Sequence, residues 1–265
     1  ESAVEQDFGN FKGEFTDGLD EKIDKAKSLE SSAMAVDPRI RNVSRNKFSQ
    51  STRSVSYWSS KGASYINKQA VLSAFSAPLA EQGTERRQGF EFKVGRKSGD
   101  INFSEIGRVA ALKSVAKLGA KSPPAGEFPV LLTSRAASEF IEIFTEHFYA
   151  KSLSEGTSLF NKELGGVIAA PCLNIVDDPF LKGGFGSTTF DGEGRPAKVV
   201  KVVENGKFAN WLSNQYYAKK MGLPDTHNSA RSAKSEVGIA AHNFAIQGGV
   251  KSRDELLRIY PKVLL

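Results

Sequence analysis

The sequence has few of the residues that mark disulfide-stapled, membrane-spanning or metal-binding proteins. Cysteine occurs once in 265 residues, at Cys172, so neither an internal disulfide nor a cysteine-based zinc site can form. Cys172 lies in an apolar stretch, which favours a buried small side chain over a nucleophile. No apolar run is long enough to cross a bilayer, so we expect no membrane contact. The three histidines lack the spacing of a helical zinc motif: His147, His227 and His242.

The charge of the chain is modest and its ends carry no targeting signal. The formal net charge is +6, but the densest basic groups are the pairs Arg86–Arg87 and Lys219–Lys220, with acidic residues interleaved along the chain. We therefore expect solvated basic faces and no nucleic-acid partner. Residues 1–15 are acidic and contain glycine, unlike a signal peptide, and the low cysteine content favours the cytoplasm. The chain starts without methionine and ends like a strand that has just begun, so we expect residues to be missing at both ends.

The periodicity of the apolar residues predicts an α+β fold in two parts. Residues 19–35 repeat apolar side chains at helical spacing, and residues 39–97 alternate like an antiparallel meander with turns at Lys61–Gly62 and Gln82–Gly83. A second helix is predicted over 103–118. The Pro- and Gly-containing segment after residue 122 is the clearest linker. We therefore predict an antiparallel-sheet-rich middle region with flanking helices over 1–122 and a β-rich C-terminal domain over 126–265.

The second part begins with one buried strand and one helix. Phe128–Leu132 is predicted to be the strand, and Thr133 or Ser134 then caps a helix over 135–149. The apolar stripe of this helix comprises Phe140, Ile141, Phe144 and Phe148. Further on, Asn205–Gly206 suits a type I′ turn of a hairpin, and Ser252 caps a short helix over 253–260.

Three glutamates on the third helix are the first candidates for chemistry. Glu139, Glu142 and Glu146 recur at spacings of three and four, and paired carboxylates can perform acid–base chemistry or bind a metal. The alternative is the solvated face of an amphipathic helix, which we favour for Glu139 and Glu146. Arg135 precedes Glu139 by four residues and is expected to pair with it.

A glycine cluster and an acidic pair form the second group of candidates. The segment Gly183–Gly186 lacks the last glycine of a nucleophile elbow and the Gly-Lys-Ser/Thr of a phosphate loop. Its plain interpretation is a loop that needs positive φ angles and close backbone approach. Asp177 and Asp178 precede Pro179, which fits a strand end and a turn. They could also bind a cation or an amine, but the structural interpretation is favoured.

A series of short motifs follows Ala35–Ile40 in a distinctive order. It comprises Gly126–Leu132, Ala136–Ala137, Gly156–Phe160, Leu164–Gly165, Leu173–Pro179, Gly183–Ser187, Phe190–Gly194, Asn205–Gly206, Tyr217–Gly222 and Asn228–Arg231. This order strongly resembles the TldD/PmbA family, and within it the PmbA branch, also called TldE. The resemblance implies a cytosolic protein of bacteria or archaea. It also implies that TldD members are zinc metalloproteases that pair with a PmbA-type partner to cleave peptides or small unfolded proteins. An older family label is modulator of DNA gyrase.

The sequence departs from the zinc motif of the TldD members. Their His-Glu-x-x-x-His corresponds here to the segment that begins at Ile141 and ends at Glu146, with Glu142 in the position of the motif glutamate. Isoleucine cannot bind zinc, and one carboxylate cannot replace two imidazoles. His147 lies one residue further along the helix and is expected to face about 100° away. We therefore expect no catalytic residue, metal or cofactor in this chain, with zinc confined to a TldD-like partner.

Three functions remain open. The first is a PmbA-type, non-zinc subunit that completes the peptide channel of a TldD-like metalloprotease in a homo- or heterodimer. The alternative is a non-catalytic homodimeric binding or regulatory protein of the gyrase-modulator type. The third is an autonomous hydrolase that uses Glu142 together with a residue from the C-terminal part that we expect to be missing. For the first, the candidates for channel lining or subunit contact are Thr157, Ser158, Asp177, Asp178, Gly183, Gly184 and Gly186.

Overall fold

The structure is a computed structural model that describes residues 4–5, 7–232 and 234–260. It has an α+β fold. The helices are α1 (Leu19–Met34), α2 (Phe103–Val115), α3 (Ser134–Thr145), α4 (Ala150–Glu155), α5 (Gln215–Met221) and α6 (Arg253–Ile259). The strands are β1 (Val4–Glu5), β2 (Ile40–Trp58), β3 (Ser64–Gln82), β4 (Glu85–Gln88), β5 (Glu91–Gly95), β6 (Ile175–Asp177), β7 (Val200–Glu204), β8 (Lys207–Phe208), β9 (Ser229–Ala230), β10 (Gly238–Ile239) and β11 (Phe244–Ile246). No helix in the described part of the chain is long and apolar enough to cross a membrane.

The chain forms two compact units. The central unit comprises Gly9–Val55 and Lys68–Pro124, and the C-terminal unit comprises Glu1–Phe8, Ser56–Asn67 and Ala125–Leu265. Residues 261–265, in which the sequence predicts the start of a strand, lie outside the described residues. The predicted helix over 19–35, the meander and the second helix are all confirmed.

The central unit is a sheet covered on one face by two helices. Strand β3 lies in the middle, with β2 on one side and β4 and β5 on the other. Side chains alternate across a strand, so the buried residues Leu72 and Ala74 of β3 share one face. They pack against Leu29 of α1 and Ile106 of α2. Gly107 lets these helices approach closely, because a Cβ there would lie 2.2 Å from the Leu29 carbonyl oxygen.

The loop end of the β2–β3 hairpin belongs to the C-terminal unit. Here Tyr65 stacks on Phe190 with ring centroids 5.2 Å apart, and Tyr57 lies 6.3 Å from the same ring. The Asn67 amide donates to the Ser187 carbonyl. Gly194 is required beside Tyr57, because a Cβ would lie 2.1 Å from the tyrosine ring. The hairpin end is thus an integral part of this unit.

A four-stranded sheet of order β11–β6–β7–β8 forms the centre of the C-terminal unit. The hairpin between β7 and β8 turns at Asn205 and Gly206, whose φ angles of 50° and 75° confirm the type I′ turn. The core around the sheet is aromatic: Phe148 and Phe208 are buried with ring centroids 5.4 Å apart. Helix α6 is capped by Ser252 as predicted.

The predicted strand Phe128–Leu132 is wrong. The segment is irregular, with a single bridge residue at Val130, and Phe128, Val130 and Leu132 are 41–59% exposed. Its residues line a small apolar pocket with Leu256 and Tyr260. Apolar content alone suggested burial, but Pro129 lacks the N–H that a central strand donates.

Two predictions of burial are also wrong. Cys172 is exposed, because it lies in the turn before β6 and not in the strand itself. Phe140 is 54% exposed, although Ile141 and Phe144 of the same stripe pack on the core. At a rotation of 100° per residue, Phe140 lies at the edge of the buried face, which the other two side chains already fill.

Candidate functional site

Helix α3 carries the segment that corresponds to the zinc motif. The Thr133 side chain caps it by accepting from the Ala136 N–H. Ile141 faces the core, where it is partly buried, and Glu142 is exposed. The α-helix ends at Thr145 and continues as a 3-10 turn over Glu146–Phe148. His147 therefore lies in a tighter turn than expected, with about 120° and not 100° between successive residues.

A cleft of about 410 Å³ opens beside the end of α3. It is lined by Glu142, Ile143, Thr145, Glu146, His147, Tyr149, Ser152 and Thr157. Glu139 and Glu146 are exposed, as expected of a solvated helix face, and Arg135 pairs with Glu139 at 2.9 Å. The cleft is thus a polar depression with two carboxylates on its wall.

Thr157 and Ser158, which the sequence suggested as channel residues, lie in the segment beside this cleft. The Ser158 hydroxyl donates to the His147 carbonyl at 2.6 Å and accepts from the Phe160 N–H at 2.9 Å. Ser158 is buried, so it acts as a structural bridge. Thr157 faces the cleft, and its hydroxyl lies 3.4 Å from the Ser152 carbonyl oxygen. Only Thr157 of this pair is available to a ligand.

The positions that correspond to the two histidines of the TldD zinc motif hold Ile141 and Glu146 in this chain. Zinc prefers imidazole, thiolate and carboxylate ligands in a tetrahedral set. Ile141 offers no donor atom, and the Nδ1 atom of His147 lies 3.4 Å from the Leu159 N–H. Within residues 7–232 and 234–260, no group of three or more His, Cys, Asp or Glu side chains is placed to hold a metal ion.

Asp177 is the centre of a buried polar network at the end of β6. The side chain has no solvent exposure. Its Oδ1 accepts from the His242 backbone N–H at 2.7 Å, and its Oδ2 accepts from the Asn228 amide at 2.6 Å. The Nδ1 atom of His242 lies 3.0 Å from Oδ2, a distance at which the Nδ1–H tautomer donates to the carboxylate. Asp177 thus bonds to Asn228 and His242, which lie 51 and 65 residues further along the chain.

The glycine loop packs against the residue that follows this histidine. The Asn243 Oδ1 accepts from the Gly186 N–H at 2.9 Å, and its amide donates to the Asp178 carbonyl. A Cβ on Gly184 would lie 2.6 Å from Oδ1 of Asn243, and one on Gly186 would lie 1.9 Å from the His242 carbonyl oxygen. The expected close backbone approach is therefore confirmed.

Asp178 forms the turn that leads into this loop. Its Oδ1 accepts from the Phe180 N–H at 2.8 Å, which confirms the predicted strand end and turn. Gly183 has a φ of 73°, the expected left-handed conformation. Phe180, Leu181 and Phe185 are 41–49% exposed. The loop thus presents apolar side chains on a closely packed backbone.

Tyr149 connects the cleft with the buried network. Its ring lines the cleft, and its hydroxyl accepts from the Ala241 N–H at 3.1 Å, one residue before His242. Burial of the hydroxyl raises the pKa of Tyr149, and the nearby negative charges of Asp177 and Glu146 raise it further. Tyr149 is therefore a neutral hydrogen-bonding group at physiological pH.

The Asp177–His242 pair resembles the orienting half of a hydrolase triad. Such a pair needs a hydroxyl or thiol within hydrogen-bond reach of the second imidazole nitrogen. None is found there among the described residues. The pair joins the end of β6 to the segment before β11 by hydrogen bonds, and neither residue is a nucleophile.

The structure divides the predicted site residues into two groups. Glu142, Glu146 and Thr157 share the cleft. Asp177, Asp178, Gly183, Gly184 and Gly186 surround His242 and Asn243. Tyr149, Asn228, His242 and Asn243 were missed as site residues, because their hydrogen-bond partners in this region lie 51–92 residues away along the chain. In the sequence, Asn228 stood out as part of the Asn228–Arg231 motif and His242 as one of three histidines without zinc-motif spacing.

Two protein-family models match most of the chain. The family model of the PmbA/TldA metallopeptidase C-terminal domain matches residues 125–265, and that of the central domain matches residues 14–118. The chain therefore belongs to the TldD/PmbA family, as the order of motifs predicted.

Several curated proteins are similar to this chain in sequence. The chain is 27% identical over 231 residues to the metalloprotease PmbA homolog of Buchnera aphidicola, covering 87% of this chain and 50% of the relative. It is 25% identical to the metalloprotease PmbA of Escherichia coli O157:H7, covering 90% of this chain and 51% of that protein. The chain thus spans about half the length of the curated relatives it matches.

Solved structures have the same fold. The crystal structure of a proposed modulator of a DNA gyrase from Thermotoga maritima superposes with a TM-score of 0.87 and 28% identity, covering 98% of this chain and 59% of that chain. TldE from Thermococcus kodakarensis gives a TM-score of 0.74 over 93% of this chain and 57% of that one. At 21% identity, the likeness to TldE shows the fold alone.

Proposed function

We propose that this chain is a PmbA-type subunit without zinc, which assembles with a TldD-like metalloprotease partner and shapes its peptide channel. The partner would supply zinc and the activated water, and this chain would bind and orient the peptide. Cytoplasmic location and a peptide or small unfolded protein as substrate are part of the proposal.

The single observation that carries the proposal is the replacement of the zinc-binding positions in a member of this family. Ile141 packs towards the core and Glu146 is the C-cap of α3, so the helix is kept while an isoleucine and a glutamate stand where TldD members are expected to carry histidines. A metalloprotease chain that retains its fold without its metal ligands is best explained as the non-catalytic member of a pair.

The glycine loop supports a contact role. Its backbone is fixed by Asn243 and by Gly186, so its apolar side chains project from a rigid base. Leu181 is 44% exposed in this position. A rigid apolar projection suits a subunit interface or a channel wall, because little conformational entropy is lost on contact.

Peptide cleavage by a purified TldD-like partner, with and without this chain, tests the proposal. We expect the chain alone to be inactive and the mixture to cleave faster than the partner alone. The variant Leu181→Ser should reduce this gain, while Leu164→Ser, a leucine of similar exposure outside the loop, should not. No gain in the mixture would reject the proposal. Cleavage by the chain alone with added zinc would favour an autonomous hydrolase.

A further inference from the structure

The central unit has a sheet face that neither α1 nor α2 covers. Because Leu72 and Ala74 face the helices, the alternate residues Ser73 and Phe75 lie on the opposite face. The register places Val94 opposite Ser73 and Phe92 opposite Phe75. We call this surface the outer sheet face.

A groove of about 360 Å³ runs along the outer sheet face. Phe75, Phe92 and Val94 supply its apolar lining, and Phe92 and Val94 are 38–39% exposed. Arg45 and Lys47 of β2 lie at its side, with the Arg45 guanidinium 5.8 Å from the Phe75 ring centroid. The groove thus combines an apolar floor with two cations.

Strand β2, which flanks the groove, carries charged side chains of one sign only. The 19 residues of β2 contain four basic side chains and no acidic one: Arg41, Arg45, Lys47 and Arg53. The acidic residues of the neighbouring strands have cationic partners of their own, Glu81 with Arg86 at 3.1 Å and Glu91 with Lys113 at 2.6 Å. A ligand of this face is therefore expected to be anionic.

We propose that the outer sheet face binds acidic segments of unfolded peptides, with a large apolar side chain in the groove and flanking carboxylates on Arg45 and Lys47. Guanidinium and ammonium groups bind carboxylates by charge-assisted hydrogen bonds. The lining by Val94 and Phe92 suits an aliphatic or aromatic side chain. The biological use of this face rests on the proposed function, for which it names a substrate class.

A single-stranded nucleic acid is the other anionic polymer that an aromatic, basic sheet could bind. Bases bind such surfaces by stacking on an aromatic ring, often with an arginine contact. Phe75 already stacks on Phe90 with centroids 5.9 Å apart and already has Arg45 over its ring. The apolar side chain of a bound peptide needs neither a free ring face nor an arginine contact. The arrangement therefore favours a peptide over a single-stranded nucleic acid.

Fluorescence anisotropy with the complete chain alone tests the proposal without any partner. The probes are an acidic peptide with a central phenylalanine, the same peptide with serine in place of phenylalanine, a basic peptide with the phenylalanine, and an oligothymidine strand. We expect the first to bind tightest and its affinity to fall with salt.

Matched variants locate the binding. Lys47→Glu should weaken the acidic peptide about fivefold, because an attraction of exposed charges is replaced by a repulsion. Lys121→Glu changes the net charge equally but lies at an exposed site in the linker, and should leave binding unchanged. Phe92→Ser should weaken the phenylalanine peptide more than the serine peptide. Circular dichroism checks that each variant is folded.

Three results would overturn the proposal. Equal binding of acidic and basic peptides would exclude charge recognition. Equal effects of Lys47→Glu and Lys121→Glu would place binding elsewhere. Tighter binding of oligothymidine than of the acidic peptide, lost in Lys47→Glu, would assign the face to nucleic acid. None of these results depends on peptide cleavage, so a failure here is distinguishable from a failure of the proposed function.

Discussion

Asp177 accepts hydrogen bonds from two segments while fully shielded from water. Replacing it by alanine leaves the His242 backbone N–H without this acceptor and leaves the Asn228 amide with the weaker contact to the Ala240 carbonyl at 3.3 Å. We expect Asp177→Ala to lower the free energy of unfolding by about 2–4 kcal/mol. Urea unfolding followed by the fluorescence of the buried Trp211 measures this loss.

The neighbouring carboxylate provides the control. Asp178 is less buried, and its side chain accepts from the Phe180 N–H in a turn. Asp178→Ala should therefore cost only about 0.5–1 kcal/mol. Equal losses for the two variants would show that the network around Asp177 is not the stabilising feature.

Asp17 is the second residue whose charge supports the fold. It bonds Lys25 of α1 and Gln50 of β2, and the Ser98 hydroxyl donates to it at 2.7 Å. The Lys25 hydrogen bond holds the pKa of Asp17 well below its ordinary value of 3.8. Since the folded-state pKa is lowered, the stabilisation is complete above the unfolded pKa and is lost as the pH falls through the folded one.

The lowered pKa of Asp17 predicts how acid changes the stability of the chain. Asp17→Asn should lower the free energy of unfolding by about 1–2 kcal/mol at neutral pH. The difference from the unaltered chain should stay constant down to about pH 5 and shrink below about pH 4. Urea unfolding over this pH range checks the result. A difference that grows in acid would contradict the assigned role.

At the scale of elements, the β7–β8 hairpin depends on one glycine. Gly206 has a φ of 75°, and a Cβ there would lie 2.3 Å from the Ala169 carbonyl oxygen. Gly206→Ala should therefore cost about 2–3 kcal/mol, since backbone strain and steric overlap add. Thermal unfolding measures the loss.

Gly222, which ends α5, separates the two effects. Its φ is 65°, but a Cβ would meet no atom within 4 Å. Gly222→Ala should cost about 1 kcal/mol, from the left-handed backbone alone. If both variants lost the same stability, the close approach at Gly206 would contribute nothing.

The elements that could be predicted from the sequence are those with a local physical signal. Helix α1 repeats apolar residues at helical spacing, and Asn205–Gly206 is typical of a type I′ turn. Phe128–Leu132 carried only apolar content, which does not distinguish a strand from an apolar loop packed beside α6. The Asp177 network was not predictable, because His242 is 65 residues away and carries no motif.

The candidate site was predicted only in part for the same reason. The family resemblance located the α3 segment, but it did not predict the change to a 3-10 turn at Glu146, in which Phe148 packs in the core. The basic face of β2 was missed because charges were counted along the whole chain. Once β2 is known to be one strand, its four cations without an anion stand out.

At the scale of the whole molecule, the segment between the two units should be open to protease. Residues 119–130 are exposed and contain no helix or extended strand. Brief trypsin treatment should cut after Lys121, and Lys121→Gln should remove that cut, as mass spectrometry would show. Resistance of Lys121 under conditions that cut elsewhere would place the boundary at another position.

We propose that this member of the TldD/PmbA family binds no catalytic zinc. Calorimetric titration of the metal-free chain with zinc, together with mass spectrometry of its metal content, measures this. We expect no stoichiometric binding by the side chains at the end of α3, Glu142, Glu146 and His147. One tightly held zinc ion per chain, lost in Glu146→Ala or His147→Ala, would contradict it.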